Sequence, residues 1–525
     1  MTHSTRHPIP GLAAVLALTL VAPAFGADAA SSDDAAITFM VDRIEVTGDN
    51  PLPEDLTRTL VEPWLGEQAG LLGLQNAADA LEEAMAARGH GFHRVVLPPQ
   101  RTESGTIELR VVVYRVAEIR VEGNEFFEAG NVLAMMPALR SGETPDTRTL
   151  ARDLARANEH PAKGLSLTMR RSNTPDAIDA VLEVEDRKPV SLFASLSNRG
   201  SEETGDERLT VGAQHANVFD LDHVLTASYT TSPGRWSDVQ QYGLSYRMPF
   251  YDLAADLTLF GTYSDVESGT VAEFFEVTGA GTSVSALWRQ GLPNLGRWGQ
   301  ELQFSVTDTH FDNDVDFLGQ PIGADVRTRP FGLGYSGEWV GAGANYGFTT
   351  TLVANLPGGR DNDDAAYAAA RAGAEQDWYA VRTHAFVDWR ISGPWLLRAD
   401  LDAQYAGDPL VAGEQLGLGG AGSVRGFRLR ETAADDGITA RVELWLPRPR
   451  KDLNVLAFVD GGYGHRNEVA VGEDDDFQLA SIGAGLRWQP LDGVRAVLDW
   501  ALVVDGAAGV ESGNHRLHFT LTTVL

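Results

Sequence analysis

Residues 379–407 read YAVRTHAFVDWRISGPWLLRADLDAQYAG. Apolar residues alternate with small or polar ones over 379–391 and again over 394–407. Ser392-Gly393, between the two runs, is short enough for a tight turn. Period-2 patterning puts successive side chains on opposite faces, so each run reads as a strand and the pair as a hairpin. The same texture fills the chain from Pro189 to Leu525. Sixteen such segments are expected: 189–198, 208–217, 223–232, 241–250, 256–265, 282–290, 301–311, 328–340, 344–356, 379–391, 394–407, 438–447, 454–464, 481–490, 493–503 and 516–525. Alternating segments of about ten residues are the mark of a transmembrane β-barrel.

The connections test this reading. Those after odd-numbered strands are mostly long and polar: 199–207, 266–281, 312–327, 357–378, 408–437 and 465–480. Those after even-numbered strands are mostly short: 219–222, 341–343, 392–393 and 491–492. Short periplasmic turns and longer extracellular loops produce this asymmetry in an antiparallel barrel. A soluble sandwich has no reason to sort its loops by parity. One face of each strand then meets lipid and the other lines a lumen, and sixteen strands leave room for a water-filled interior. Both barrel termini fall on the periplasmic side.

The whole chain has 525 residues, with Lys+Arg 42 against Asp+Glu 73 and a net charge of −31. Phosphate binding needs surplus basic charge, so no nucleic-acid partner is expected. With no Cys, disulfides, thiolate metal sites and a Cys nucleophile are excluded. Residues 1–26 read as a secretory signal: Arg6, an apolar run from Gly11 to Ala22, then Ala24-Phe25-Gly26. Residues 27–38 form a short N-terminal segment. No later stretch is long and apolar enough for a membrane-spanning helix, whereas a closed barrel satisfies its backbone in lipid without one.

The first third contains a repeat. Val41-Asp-Arg-Ile-Glu-Val-Thr-Gly48 is echoed by Val116-Ala-Glu-Ile-Arg-Val-Glu-Gly123. Each is a strand ending in a Gly turn. Helical patterning follows over 56–65 and 74–87 in the first copy, and over 129–136 and 147–157 in the second. Pro63 cuts the first helix short. Two strands close each copy, at 92–97 and 106–113, then at 165–170 and 177–184. The order β-α-α-β-β describes a small α+β unit with helices on one face of a three-stranded sheet.

The connection after strand eleven contains Gly419-Gly420-Ala421-Gly422-Ser423-Val424-Arg425-Gly426-Phe427. Strand thirteen contains Phe458-Val459-Asp460. If Val459 faces lipid, alternation turns Phe458 and Asp460 into the lumen. An Arg at the loop tip could clamp that carboxylate bidentately. On these residues alone, an exposed loop Arg and an unrelated lumen Asp remain an equal alternative.

The β-α-α-β-β order resembles the POTRA domain. Leu97-Pro98-Pro99-Gln100 followed by Gly105, then Asn158-Glu-His-Pro161 through Asp179, and Glu185-Asp-Arg-Lys-Pro189, resemble the POTRA segments of two-partner secretion transporters. Val424, Arg425, Gly426 and Phe427 resemble the signature tetrad of the outer-membrane-protein-85 superfamily, and Phe458 with Asp460 its partner motif. With Asn198-Arg-Gly-Ser201 opening the barrel, the chain resembles the hemolysin secretion/activation family over nearly its whole mature length.

The resemblance implies two α+β POTRA domains at 39–114 and 115–187. A 16-stranded antiparallel transmembrane β-barrel follows at 188–525, with loop 408–437 folded into the lumen and Arg425 paired to Asp460. It implies a bacterial outer-membrane transporter that secretes a β-rich, β-helical client from periplasm to cell surface (two-partner, type Vb, secretion). No P-loop is present, so ATP is not the driver. Barrel-assembly machinery and outer-membrane lipid are further expected partners, and the transporter is expected to be a monomer. Phe92, His93, Arg94, Val95, Val96 and Leu97 are the expected client-binding edge strand, since the middle strand in sequence lies at the sheet's border. The competing reading is a POTRA-barrel factor that inserts other barrels. Two features depart from the family: residues 27–40 leave no evident plug helix, and the last residue is Leu525 rather than an aromatic.

No enzyme, cofactor or metal is expected. The acidic runs Asp312–Asp316, Asp361–Asp364 and Glu473–Asp476 lack EF-hand spacing and read as solvated loops. No HExxH occurs, and Asp222-His223 has no companion Ser.

Overall fold

The computed structural model describes residues 38–525 apart from 70, 102–103, 202–203, 238, 266–268, 272–274, 278–279, 313–315, 318–319, 322–324 and 470–473. The expected signal at 1–26 and most of the segment 27–38 lie outside the described residues. The chain divides into two units at Lys188/Pro189.

The N-terminal unit contains two three-stranded sheets. In the first, Thr106–Val113 is central, parallel to Arg43–Gly48 and antiparallel to His93–Val96. Helix Leu72–Ala86 turns Leu74, Ala77, Leu81 and Met85 onto this sheet, where they meet Ile107, Leu109 and Val111. That spacing is one face of a helix against alternate residues of a strand. Pro63 sits in a 3-10 turn, Glu62–Trp64, that ends helix Glu54–Val61. The expected strand from Val41 is in fact broken at Asp42, whose N–H bonds the Gly105 carbonyl. Thr38–Val41 pairs instead with Gly66–Ala69.

The second sheet repeats the topology. Ala177–Asp186 is central, parallel to Arg115–Glu122 and antiparallel to Lys163–Arg171. Helices Ala129–Ala134 and Thr147–Ala157 stand between the strands in sequence. Asp146 caps the latter by accepting from the N–H groups of Arg148 and Thr149 at 2.8 and 2.9 Å. Burial alone would raise this carboxyl, but hydrogen bonds from Thr149 and Arg148, with the Arg148 charge, hold it below its ordinary value of 3.8. A depressed folded-state value means that the contribution is full above the unfolded value and is lost as pH falls through the folded one. Asp146→Ala is therefore expected to cost about 1 kcal/mol at pH 7. In urea unfolding of a 38–188 fragment the deficit should shrink as the buffer is taken below 3.8.

The C-terminal unit is a closed antiparallel ring. Val326–Thr328 and Pro330–Val340 pair in succession with Trp298–Phe311 and form one strand interrupted at Arg329, so the ring has sixteen strands. The first, Val190–Ser197, pairs with the last, His515–Val524, over Phe193–Ser197 and Thr520–Val524. Leu192 and Leu525 exchange backbone hydrogen bonds at the same seam. Closure leaves the ring no free edge.

Every connection after an odd-numbered strand is longer than every connection after an even-numbered one. The structure departs from the sequence reading inside those long loops. A helix, Asp364–Ala370, stands in the loop after strand nine. Short hairpins occur too, among them Leu416–Leu418 with Thr432–Ala434. Strand fourteen begins at Asp476 rather than 481, because its polar start still pairs with Gly462–His465. The run Asp361–Asp364 is structural: Asp363 caps that helix through Ala366 N–H, and Asn362 is fully buried.

Alternation around the ring is strict where the site lies. Val459 is 57% exposed, while Phe458 and Asp460 beside it are 3% and 1%. Aromatic side chains gather outside both ends of the strands. Trp339 stacks on Tyr346, and Phe250 packs on Trp288, near the short turns. Tyr229, Tyr242 and Tyr263 form a row near the long loops. Two such belts flank the lipid-facing band of outer-membrane barrels.

Candidate functional site

The loop between strand eleven (Trp395–Ala406) and strand twelve (Asp436–Trp445) brings Arg425 against the inner wall of the barrel. Its side chain is 1% exposed. Nε and Nη2 each donate to one Asp460 oxygen at 2.7 Å, a bidentate clamp, and the Arg425 backbone N–H donates to Asp460 at 3.1 Å. The guanidinium lies 3.4 Å from the Phe458 ring centroid, a cation–π contact. The structure thus brings Arg425, Phe458 and Asp460 together. Both side chains are buried, Arg425 at 1% and Asp460 at 0% exposure.

The other tetrad members fix the backbone that presents the arginine. Val424 and Phe427 are buried with Leu418, Leu479 and Val503. Gly426 has φ +98°, and a Cβ there would lie 3.1 Å from Val503, so glycine alone fits without strain. Its N–H donates to His518 Nε2 at 3.0 Å.

Four residues of the site went unread in the sequence. Arg425 Nη1 donates to Glu443 at 2.8 Å and lies 3.7 Å from Asp499. Arg487 bonds Asp499 at 2.6 Å and approaches Glu443 at 3.5 Å. His518 completes the set. The clamp therefore ties the loop to strands twelve to sixteen rather than to thirteen alone. The signal was available: each of these residues stands between apolar neighbours, in VELW, LRW, LDW and LHF. Such isolated polar residues are inward-facing positions once register is known.

At the other candidate site, His93–Val96 lies at the border of the first sheet, with Phe92 and Leu97 flanking it. Its side of the sheet is partly closed. The Val95 N–H donates to Glu82 at 2.7 Å and the His93 N–H to the His90 carbonyl at 3.2 Å. The Arg94 guanidinium donates to the His93 carbonyl at 3.0 Å and pairs with Glu82 at 3.6 Å. Burial, then the neighbouring His90, hold the His93 imidazole below its ordinary range.

A closed sixteen-strand barrel, a long loop clamped inside it by a buried arginine, and POTRA-type α+β modules ahead of it define a class: outer-membrane barrels of the POTRA-plus-barrel type. Comparison with known proteins narrows this. Residues 176–292 and 338–488 match the family model for haemolysin secretion/activation proteins ShlB/FhaC/HecB, and 39–113 match the ShlB-type POTRA domain. The chain belongs to the ShlB/FhaC/HecB haemolysin secretion/activation family.

The heme/hemopexin transporter protein HuxB of Haemophilus influenzae (strain 86-028NP) is 20% identical over 445 residues, 82% of this chain and 77% of that protein. The outer membrane transporter CdiB of Escherichia coli O6:K15:H31 is 24% identical over 471 residues, 85% and 75% respectively. The solved structure of CdiB from Escherichia coli has a TM-score of 0.77 at 18% identity, covering 94% of this chain and 92% of that one. CdiB from Acinetobacter baumannii follows at 0.68 and 16%, covering 93% and 90%. The protein is an outer-membrane transporter of the two-partner secretion type, with its POTRA modules in the periplasm.

Proposed function

We propose that this transporter captures one extended, β-rich client in the periplasm and releases it through the barrel to the cell surface, where the client folds as a β-helix. Residues 39–114 and 115–187 are the capturing modules, and 188–525 the conduit. The observation that carries the mechanism is the buried Arg425–Asp460 clamp, which holds a 408–437 loop inside a closed ring. Folding of the client outside biases its motion outward, so no nucleotide is needed. Catalysis has no part in this reading.

Client capture uses strand addition along Phe92–Leu97. Added-strand hydrogen bonds recognise extended backbone with modest side-chain demand. Glu82 occupies a border donor of that strand, and an arriving client exchanges its own carbonyl for the Glu82 carboxylate. Glu82→Ala is accordingly expected to strengthen capture. Cross-linking of stalled client to the first module should rise above the parent; an unchanged yield would remove the strand from this role.

The reading as a whole is tested by what co-purifies with the transporter from its native host. One large β-helical protein supports export. A set of unrelated barrels would instead identify an assembly factor.

A further inference from the structure

We propose that Asp435 and Arg371 form a second latch, separate from the Arg425 clamp, which holds three surface loops closed across the outer mouth of the barrel. That the departing client must open it rests on the export reading; the latch itself rests on its own geometry.

Asp435 is fully buried and is the last residue before strand twelve. Its carboxylate accepts both Arg371 Nη atoms, at 2.5 and 2.6 Å. It also accepts the Leu410 N–H at 2.9 Å, Gln415 Nε2 at 3.1 Å and the Asn467 N–H at 2.8 Å. Arg371 in turn donates to the carbonyls of Leu410 and Asn467. Arg371 belongs to the connection after strand nine, Leu410 and Asp435 to that after strand eleven, and Asn467 to that after strand thirteen. One carboxylate therefore ties three connections.

Beneath the tie lies an apolar cluster. Tyr367, Trp378 and Leu410 from the loops pack on Val353, Ala380 and Ala406 of the strands. Those strand residues point inward, since their neighbours Leu352, Tyr379 and Tyr405 are 50%, 45% and 58% exposed to the outside. The loops are thus folded over the inner face of the wall, not splayed into solvent. An exposed ion pair would hold such loops weakly. A buried, fully hydrogen-bonded carboxylate resists opening, because separating it from its arginine strands a charge.

The test uses the full-length chain, which has no Cys, so a single reporter thiol is unambiguous. Ala374→Cys places it in the apolar cluster beneath the tie, at a position 2% exposed in the connection after strand nine. In the Arg371→Gln background, labelling by a membrane-impermeant maleimide is expected to speed up about tenfold, and channel conductance in planar bilayers to rise with it. Asp435→Asn should act in the same direction. If Asp435→Asn fails to assemble, Arg371→Gln carries the test, since Arg371 lies in a loop with its side chain 18% exposed. Labelling and conductance at the parent's values, or a parent whose reporter already reacts rapidly, would overturn the latch. Neither measurement involves a client, so the export reading stands or falls separately.

Discussion

Arg425→Ala is expected to abolish surface delivery of the client and to destabilise the barrel by about 3–5 kcal/mol, the cost of leaving buried carboxylates without their cation. Three acids face this site, Asp460, Glu443 and Asp499, against two arginines. Removing one arginine leaves Arg487 alone among them. Arg425→Lys should fail nearly as badly, because an ammonium cannot fill the two-pronged contact with Asp460 or lie flat on Phe458. Loss of fold and loss of mechanism are separable. Arg425→Ala with Asp460→Ala removes both partners, so unfolding in urea should move back toward the parent while export stays lost. Normal transporter levels with undiminished delivery in Arg425→Ala would end the proposed role of the clamp.

Deleting residues 39–113 is expected to reduce export to background while the barrel still assembles. The first sheet encloses its own core, from Ile44 to Val111. The ring closes through strand pairs that all lie between Val190 and Val524. Removing the module therefore subtracts the proposed capturing strand without breaking a barrel pairing. Heat-modifiable migration of the truncated protein reports assembly, and surface protease digestion of the client reports export. Delivery at parental level would show that the first module has no part in capture.

Much of this architecture was legible because a barrel strand carries its signal twice, in alternation and in the parity of its connections. Both repeats were visible in the Ile-x-Val-x-Gly endings of their first strands. Less legible were places where tertiary contacts decide. Helix Asp364–Ala370 is an Ala-rich turn held by the Asp363 cap and by burial of Tyr367, a contact that the local sequence does not announce. At the strand break the N–H groups of Asp42 and Arg43 both bond the Gly105 carbonyl, 62 residues away in sequence for Arg43. For the clamp, family resemblance supplied the pairing of Arg425 with Asp460. Glu443, Asp499, Arg487 and His518 were missed because each looks ordinary within its own strand. They converge only when strands twelve to sixteen lie side by side.

The aromatic belts have a consequence for the bilayer. On strand ten, Tyr379 and Trp389 both face outward, one near each end. Ten residues at about 3.4 Å each, tilted by about 40°, span about 26 Å along the membrane normal. That hydrophobic thickness suits an outer membrane thinner than a typical bilayer. Reconstitution in short-chain lipid should consequently give faster insertion and sharper unfolding than in thick, sterol-rich membranes, where mismatch would squeeze the cylinder's rim.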